Sequence, residues 1–519
     1  MHMAAFPFRL IIKGSVRITV MPSLRSFTLN QRCILALVSA LVANPVAAPA
    51  QYNGATVRDA GAVNRLGQEF VSSDRSDALS IAIIRAGNVA FFDFGTTQHG
   101  KEIRPTKESV YEIGSITKLF TSLLLAHAVL DGKLGLQDDI RRYLPGDYAN
   151  LSFEGSPVRM IDLADTTSAL PDNLPNFQEV TAQAQEREKA FVLANVLNIY
   201  SQQDMLRDLH SVALIGRPGA DPRHSNLAAE LLGYILTRVY GQSFTSLLQA
   251  KIQKPLSMEN GVSPDNSARM VQGYDPQHVA MPETNQSAVL TAGGLRYSAE
   301  DMAKFLQAEL TSRDEAILLT QRPVVGRPET GAVGFNWQIS RNVEGALKLN
   351  ASGGTSGGAS YVEIYPERGY GVVLLANRSG ETEGHLYELA DTLFAAVEGT
   401  PGLDALKADL TSTRYHDVKG SLQRSKLRFP QLTLSESYVN NWAGGLLGSD
   451  PKAALALFEY NVGRWPDSSD AFDSLGEGYE QNGNPTGAIE AYRKALQLNP
   501  ANKEASASLA SLQARQNAR

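Results

Sequence analysis

A serine and a lysine stand three residues apart at the mouth of an apolar run, in Tyr111-Glu112-Ile113-Gly114-Ser115-Ile116-Thr117-Lys118-Leu119-Phe120. Leu119, Leu123, Ala126 and Leu130 recur every three or four residues, with Gly114 before them and Gly132 after. That spacing predicts a helix over 115–131. Residues i and i+3 share a helical face, so the ammonium of Lys118 can reach the hydroxyl of Ser115. A serine hydroxyl is a weak nucleophile at neutral pH, and a neighbouring lysine able to lose its proton activates it. The spacing alone is common in long chains; what surrounds it decides its meaning.

A chain of 519 residues calls for two or three domains. Residues 78–95 read as a β-hairpin turning at Ala86-Gly87-Asn88. Helical patterns follow at 226–240, 244–252 and 299–311. Strand patterns return at 333–340, 359–365 and 371–376, with Pro366-Glu367-Arg368-Gly369 as a hairpin turn. Strands at both ends with helices between predict an α+β domain over 55–400, its antiparallel sheet closed by the two ends of the chain. Residues 401–433 read as a linker with some helix. Beyond them Ala454, Phe458 and Pro466 are answered 34 residues later by Ala488, Tyr492 and Pro500. That period, with small and aromatic residues at these offsets, is the tetratricopeptide signature. It predicts α-helical repeats over 434–515, able to take a protein or peptide partner. Two such units and a final helix at 502–513 are marginal alone, so they are expected to dock on the first domain.

At the N-terminus Arg25 and Arg32 precede the apolar run from Cys33 to Ala43, and Asn44-Pro45 breaks it. Ala48-Pro49-Ala50 then offers small residues for cleavage. This reads as a signal peptide over 1–50, cut after Ala50, with Met21 as an alternative start. The run is too short to span a membrane as a helix. A periplasmic or secreted protein is therefore expected. Cys33 is the only cysteine, which leaves the mature chain no disulfide, thiolate nucleophile or cysteine metal site. A net charge of −6 gives no support to nucleic-acid binding.

Two further constellations carry chemistry. Arg223-His224-Ser225-Asn226-Leu227 follows a Pro218-Gly219 turn and opens a helical pattern. Ala351-Ser352-Gly353-Gly354-Thr355-Ser356-Gly357-Gly358 leads into the strand Ala359–Tyr365, and its glycines allow close backbone approach. With these the chain resembles the class C β-lactamase-like serine hydrolases, which include penicillin-binding D-Ala-D-Ala peptidases, D-aminopeptidases and related esterases. The resemblance covers about 60–395. Ser115-Ile116-Thr117-Lys118 stands at the family's S-x-x-K and His224-Ser225-Asn226 at its Y-S-N. Ala351-Ser352-Gly353 stands at its K-T-G or H-x-G strand. Leu163–Pro171 looks like the L-L-T-H-T-S-G-L-P segment, Ala292–Leu295 like A-G-G-L, and Ala299-Glu300-Asp301 like the helix start that follows.

The resemblance implies a β-lactamase/transpeptidase-like fold, an antiparallel sheet with a helical subdomain. It implies an acyl-enzyme formed on Ser115, with Lys118 as activator and proton relay. Position 224 would act as base and then acid, and Asn226 would hold Lys118 and the substrate amide. The backbone N–H groups of Ser115 and Gly354 would form an oxyanion hole, with Ser352 and Gly353 on the substrate strand. The substrate would be a small-molecule or peptide acyl donor: a β-lactam, a D-amino-acid peptide or an ester.

Two positions depart from the family pattern. His224 replaces the tyrosine; an imidazole can serve as general base, although it is shorter. Ala351 replaces a lysine or histidine that helps bind a substrate carboxylate, which adds weight to an ester substrate unless another cation, such as Arg378, substitutes. The departures keep open a carboxylesterase, or a catalytically weakened scaffold that binds through its repeats. Gly354–Gly358 also matches G-x-S-x-G, but a nucleophile elbow needs a helix to follow, and here a strand follows. His99, His127, His210, His278, His385 and His416 show no metal-ligand spacing, so neither metal nor organic cofactor is implied.

Overall fold

The computed structural model describes residues 60–261, 268–283 and 290–517. The expected signal peptide and its cleavage point lie outside the described residues. No helix among the described residues is long and apolar enough to cross a membrane.

Eight antiparallel strands form the central sheet: β1 (Ala78–Arg85), β2 (Asn88–Gly95), β3 (Val325–Arg327), β4 (Gly331–Gly334), β5 (Trp337–Arg341), β6 (Leu347–Gly354), β7 (Ala359–Tyr365) and β8 (Tyr370–Ala376). Their order is β2-β1-β8-β7-β6-β5-β4-β3. β1 pairs with β8 from Leu79↔Ala376 to Arg85↔Tyr370, so the two ends of the domain close the sheet as expected. Successive side chains on a strand face opposite ways. Ala82 and Ile84 enter one core, while Leu79, Ile81 and Ile83 enter another on the opposite face. A sheet covered on both sides has almost no polar face, which is why β1, β7 and β8 are buried nearly throughout. The run 333–340 is not one strand. Phe335 and Asn336 both take positive φ (51° and 65°) and make a two-residue turn between β4 and β5.

Helices cover both faces. α1 (Ala60–Ser72) lies on one side of the sheet. α2 (Thr117–Leu130), α4 (Asn226–Tyr240) and α5 (Ala299–Thr311) belong to the other half, α3 (Lys189–Ile199) lies outside both cores, and α6 (Thr382–Glu398) returns to the face of α1. The helical pattern at 244–252 begins as a helix, Phe244–Leu248, and widens into a π-helix, Gln249–Gln253.

Residues 401–433, read as a linker with some helix, contain two helices, α7 (Pro401–Ser412) and α8 (Val418–Arg428). The polar exterior of α8 hid a buried stripe of Val418, Leu422 and Ser425. The repeats follow as α9 (Glu436–Leu446), α10 (Pro451–Arg464), α11 (Ser469–Gln481), α12 (Pro485–Leu498) and α13 (Lys503–Asn517). The small residues permit the close crossings: a Cβ on Gly476 would lie 2.5 Å from the Tyr492 ring, and one on Gly478 2.7 Å from Phe458. Leu406, Leu410 and Leu422 share one core with Val439, Leu457 and Phe458, and Val343 of the β5–β6 turn packs against it. The repeats thus join the first domain through α7 and α8.

Candidate active site

Gly114 turns the chain from the short strand Val110–Glu112 into a 3-10 turn, and α2 starts at Thr117, not at Ser115. Its φ is +49°, and a Cβ there would lie 2.8 Å from the Gly354 nitrogen, so only glycine fits. Gly353 is bound by the same contact from the other side: a Cβ would stand 2.1 Å from Ile113 O and 2.9 Å from Ser115 N. The nucleophile turn and β6 are therefore in backbone contact, and the Ser360 hydroxyl adds a bond to Ile113 O at 2.8 Å.

Lys118, in the first turn of α2, is 4% exposed. Its ammonium donates to Ser115 Oγ at 2.7 Å, Asn226 Oδ1 at 2.7 Å and Ala292 O at 3.0 Å. Three acceptors use its three protons. Burial pushes Lys118 down to about 8, against the opposing pull of Glu230 and Asp172. Near neutral pH an appreciable fraction is the free amine, able to take the serine proton. Glu230, on α4, is itself buried, and burial pushes its carboxyl well above the usual range.

The start of α4 is stapled to the segment before it. Ser225 caps the helix by accepting from Ala228 N at 3.1 Å, and donates to Pro171 O at 2.8 Å. The N–H groups of Asn226 and Leu227 donate to Asp172 O at 2.8 and 3.0 Å. This brings Asp172 Oδ1 to 2.7 Å from His224 Nδ1, while His224 Nε2 faces Ser115 Oγ at 3.5 Å. Burial opposes ionisation of Asp172. The hydrogen bond and charge of His224, with the Asn226 N–H and Lys118, nevertheless hold its carboxyl below the ordinary range. A carboxylate accepts only, so Nδ1 carries a proton, and in the neutral ring the Nε2 lone pair is directed at the serine. Asn226 is fixed in turn by Asn173 Oδ1, which accepts from its Nδ2 at 2.8 Å.

β5 pairs with β6 only over Leu347–Asn350, whereas β7 continues along it to Gly354. From Ala351 to Gly354 the other edge of β6 opens on a cavity of about 630 Å³. Ser115, Lys118, His224 and Asn226 line the same cavity, as do Ser352, Gly353 and Gly354. All of the expected site residues therefore meet in one place. Opposite them Ala190, Leu193, Ala194 and Leu197 of α3, at helical spacing, form an apolar wall.

Arg378 does not take the place of the missing cation. It is absent from the cavity lining. Its guanidinium bonds Asp74 Oδ1 at 2.8 Å, Asp77 Oδ2 at 3.0 Å and His278 Nδ1 at 2.7 Å. Asp77, His99 and His278 place their ligand atoms within 4.8 Å of one another, a grouping that linear spacing did not show. Arg378 is bonded to two of the three, Asp77 and His278. Ser356, of the G-x-S-x-G match, lies in the β6–β7 turn with a strand after it.

Two lining or supporting residues had no motif to mark them. Asp172 directly follows the Leu163–Pro171 segment, and that adjacency is its only signal. Glu383, in the first turn of α6, accepts from the Ser352 hydroxyl and lines the cavity.

A serine hydroxyl bonded by a buried lysine, set against an open strand edge, is an arrangement suited to a serine nucleophile. Residues 63–396 match the family described as Beta-lactamase, and residues 469–502 the Tetratricopeptide repeat. The chain belongs to the Beta-lactamase family, a family of serine hydrolases, and carries a tetratricopeptide repeat at its C-terminal end. It is 26% identical over 367 residues to D-alanyl-D-alanine-carboxypeptidase/endopeptidase AmpH of Escherichia coli (strain K12), covering 67% of this chain and 89% of that one. It is 27% identical over 327 residues to Protein flp of Staphylococcus aureus (strain MRSA252), covering 60% and 62%. The fold is that of the octameric penicillin-binding protein homologue from Pyrococcus abyssi (TM-score 0.55, 23% identity, 67% of this chain and 81% of that one). It is also that of a beta-lactamase/D-alanine carboxypeptidase from Yersinia pestis (TM-score 0.54, 23% identity, 64% and 99%).

Proposed function

We propose that this protein is an exported serine hydrolase that cleaves a peptide-like amide or an ester through an acyl-enzyme on Ser115. The observation that carries the reading is the 2.7 Å contact between Lys118 Nζ and Ser115 Oγ inside a substrate-sized cavity, with the lysine's proton affinity lowered by burial. In this reading Ser115 Oγ attacks the carbonyl carbon and its proton passes to the neutral amine of Lys118. The oxyanion faces the N–H groups of Ser115 and Gly354, which stabilise charge that exists only in the transition state. The leaving group departs with the proton that Lys118 took from Ser115. Water then attacks the acyl-enzyme, giving its proton to His224, whose imidazolium Asp172 stabilises, and Ser115 regains its own.

The open edge of β6 favours an extended, amide-bearing substrate, because a free strand edge can pair with a substrate backbone. The relative named as a carboxypeptidase/endopeptidase supports peptide bonds as targets. An uncharged ester is the second reading, favoured by Ala351 at the position where a cation is expected. The repeats are read as a docking surface for a protein or peptide. The test is incubation with a fluorescent penicillin and with a short p-nitrophenyl ester, beside Ser115→Ala. Labelling or turnover that disappears in the variant supports the reading; activity that persists in it, or none with any acyl donor, defeats it.

A further inference from the structure

We propose that Glu383 makes this site select a substrate bearing an ammonium group at the end that lies along Ser352–Gly354. The inference rests on the hydrolase reading for the placement of the substrate, and on the geometry of the strand end for its charge.

The unpaired edge of β6 over Ala351–Gly354 is where an extended substrate meets the protein. Glu383 covers that edge. One carboxylate oxygen accepts from the Ser352 hydroxyl, and a Cβ built on Gly354 would lie 3.1 Å from the other. A carboxylate offers about four acceptor positions, and Ser352 occupies one. Among the described residues no cation lies within ion-pair distance of Glu383. Of the cations that line the cavity, Lys118 is bonded to Ser115, Asn226 and Ala292 O, and Arg223 stands beside His224, away from the strand end in sequence and element. Arg378 is engaged by Asp74 and Asp77, and Lys348 by Asp391. Glu283, the other carboxylate of the cavity lining among the described residues, is paired with Arg296 at 3.2 Å. Ala351 contributes no charge. The strand end therefore presents an uncompensated acid where a carboxylate-binding site would present a base. A substrate carboxylate would meet like charge in a partly dry cavity, and an ammonium would complete the pair. The apolar wall of α3 would take the substrate's hydrocarbon part.

An acid in the first turn of a helix also has an ordinary use, since it complements the positive end of the helix. Glu383→Gln separates the two, because the amide oxygen still accepts from Ser352 and only the charge is lost. The measurement is calorimetric binding to Ser115→Ala protein, where nothing turns over. The probes are short alanine peptides charged at one terminus at a time and blocked at the other, as an ammonium or as a carboxylate. Ammonium forms are expected to bind roughly tenfold more tightly than carboxylate forms, the preference to fall within about twofold in Glu383→Gln, and to reverse in Glu383→Lys. A preference that survives Glu383→Gln, or no preference or binding at all, overturns the inference. Failure of the hydrolase reading shows separately, as no Ser115-dependent turnover in the wild-type protein.

Discussion

Asp172 holds His224 by a 2.7 Å bond to Nδ1, and thereby turns Nε2 toward the Ser115 hydroxyl. A serine, a histidine and an aspartate thus stand in line beside a serine–lysine pair, so two side-chain nitrogens address one hydroxyl. Asp172→Asn keeps a side-chain acceptor but removes the charge that stabilises an imidazolium. We expect kcat/KM to fall roughly 10- to 100-fold with KM little changed, less than in a site relying on histidine alone. His224→Tyr, which restores the family's residue, should retain more activity than His224→Ala. If both variants turn over substrate like wild type, His224 takes no part in the chemistry.

Lys118 sets the pH dependence. With its proton affinity lowered to about 8 by burial, kcat/KM should climb with pH and level off above that value. Its effect on stability has a definite sign. The folded value lies below the unfolded one of about 10.4, so the unfolded chain binds more protons between them and stability rises with pH across that window. Below about 8 the buried ammonium is a liability in the native state only. The melting temperature of wild type relative to Lys118→Met should therefore increase from pH 8 toward pH 10. Parallel melting curves across that range would show that Lys118 is not depressed.

Adjacent glycines should respond differently to the same change. A Cβ at Gly353 collides with backbone, Ile113 O at 2.1 Å and Ser115 N at 2.9 Å, and backbone cannot swing aside. Gly353→Ala should abolish turnover and cost about 1–3 kcal/mol of stability, as overpacking does. At Gly354 the one neighbour within 4 Å is Glu383 Oε2, at the end of a flexible side chain. Gly354→Ala should fold normally and change substrate affinity. Thermal melts beside kcat and KM for the pair test the contrast; equal destabilisation would refute it.

Much of this site was legible because its residues sit at helix starts and at a glycine-rich strand end, where local pattern is strong. Ser115 and Lys118 stand three residues apart where a 3-10 turn runs into α2, Asn226 opens a helix, and Gly353 and Gly354 announce close backbone approach. Asp172 and Glu383 were not legible, because each reaches the site through tertiary contact: 52 residues separate Asp172 from His224, and 31 separate Glu383 from Ser352. Arg378 was misplaced for the same reason. Its sequence position after β8 puts it beside the sheet, and Asp74 and Asp77 then draw it away from the cavity. Residues 401–433 were read as a linker with some helix, and the bounds of α7 and α8 were not legible, because their exposed faces are polar and only a narrow stripe is apolar.

The tail offers a test of where the hydrolase ends. Glu344, 8% exposed in the β5–β6 turn, accepts from the N–H groups of Gly402 and Leu403 at 3.2 and 2.9 Å, and Thr433 N donates to Val343 O at 3.0 Å. These contacts anchor α7 and α8, but every cavity residue precedes residue 384. A chain ending at 399 returns Glu344 to water and leaves no apolar helix uncovered. It should keep Ser115-dependent kcat/KM within about threefold of wild type, since loss of bonds that water can replace costs little. A chain ending at 434 keeps α7 and α8 but strips Val439, Leu457 and Phe458 from Leu406, Leu410 and Leu422. That exposed stripe should make the longer fragment the less soluble of the two. Size-exclusion chromatography and turnover of both fragments decide the matter. If the fragment ending at 399 is the one that aggregates or loses activity, the tail is part of the hydrolase fold and not an appendage to it.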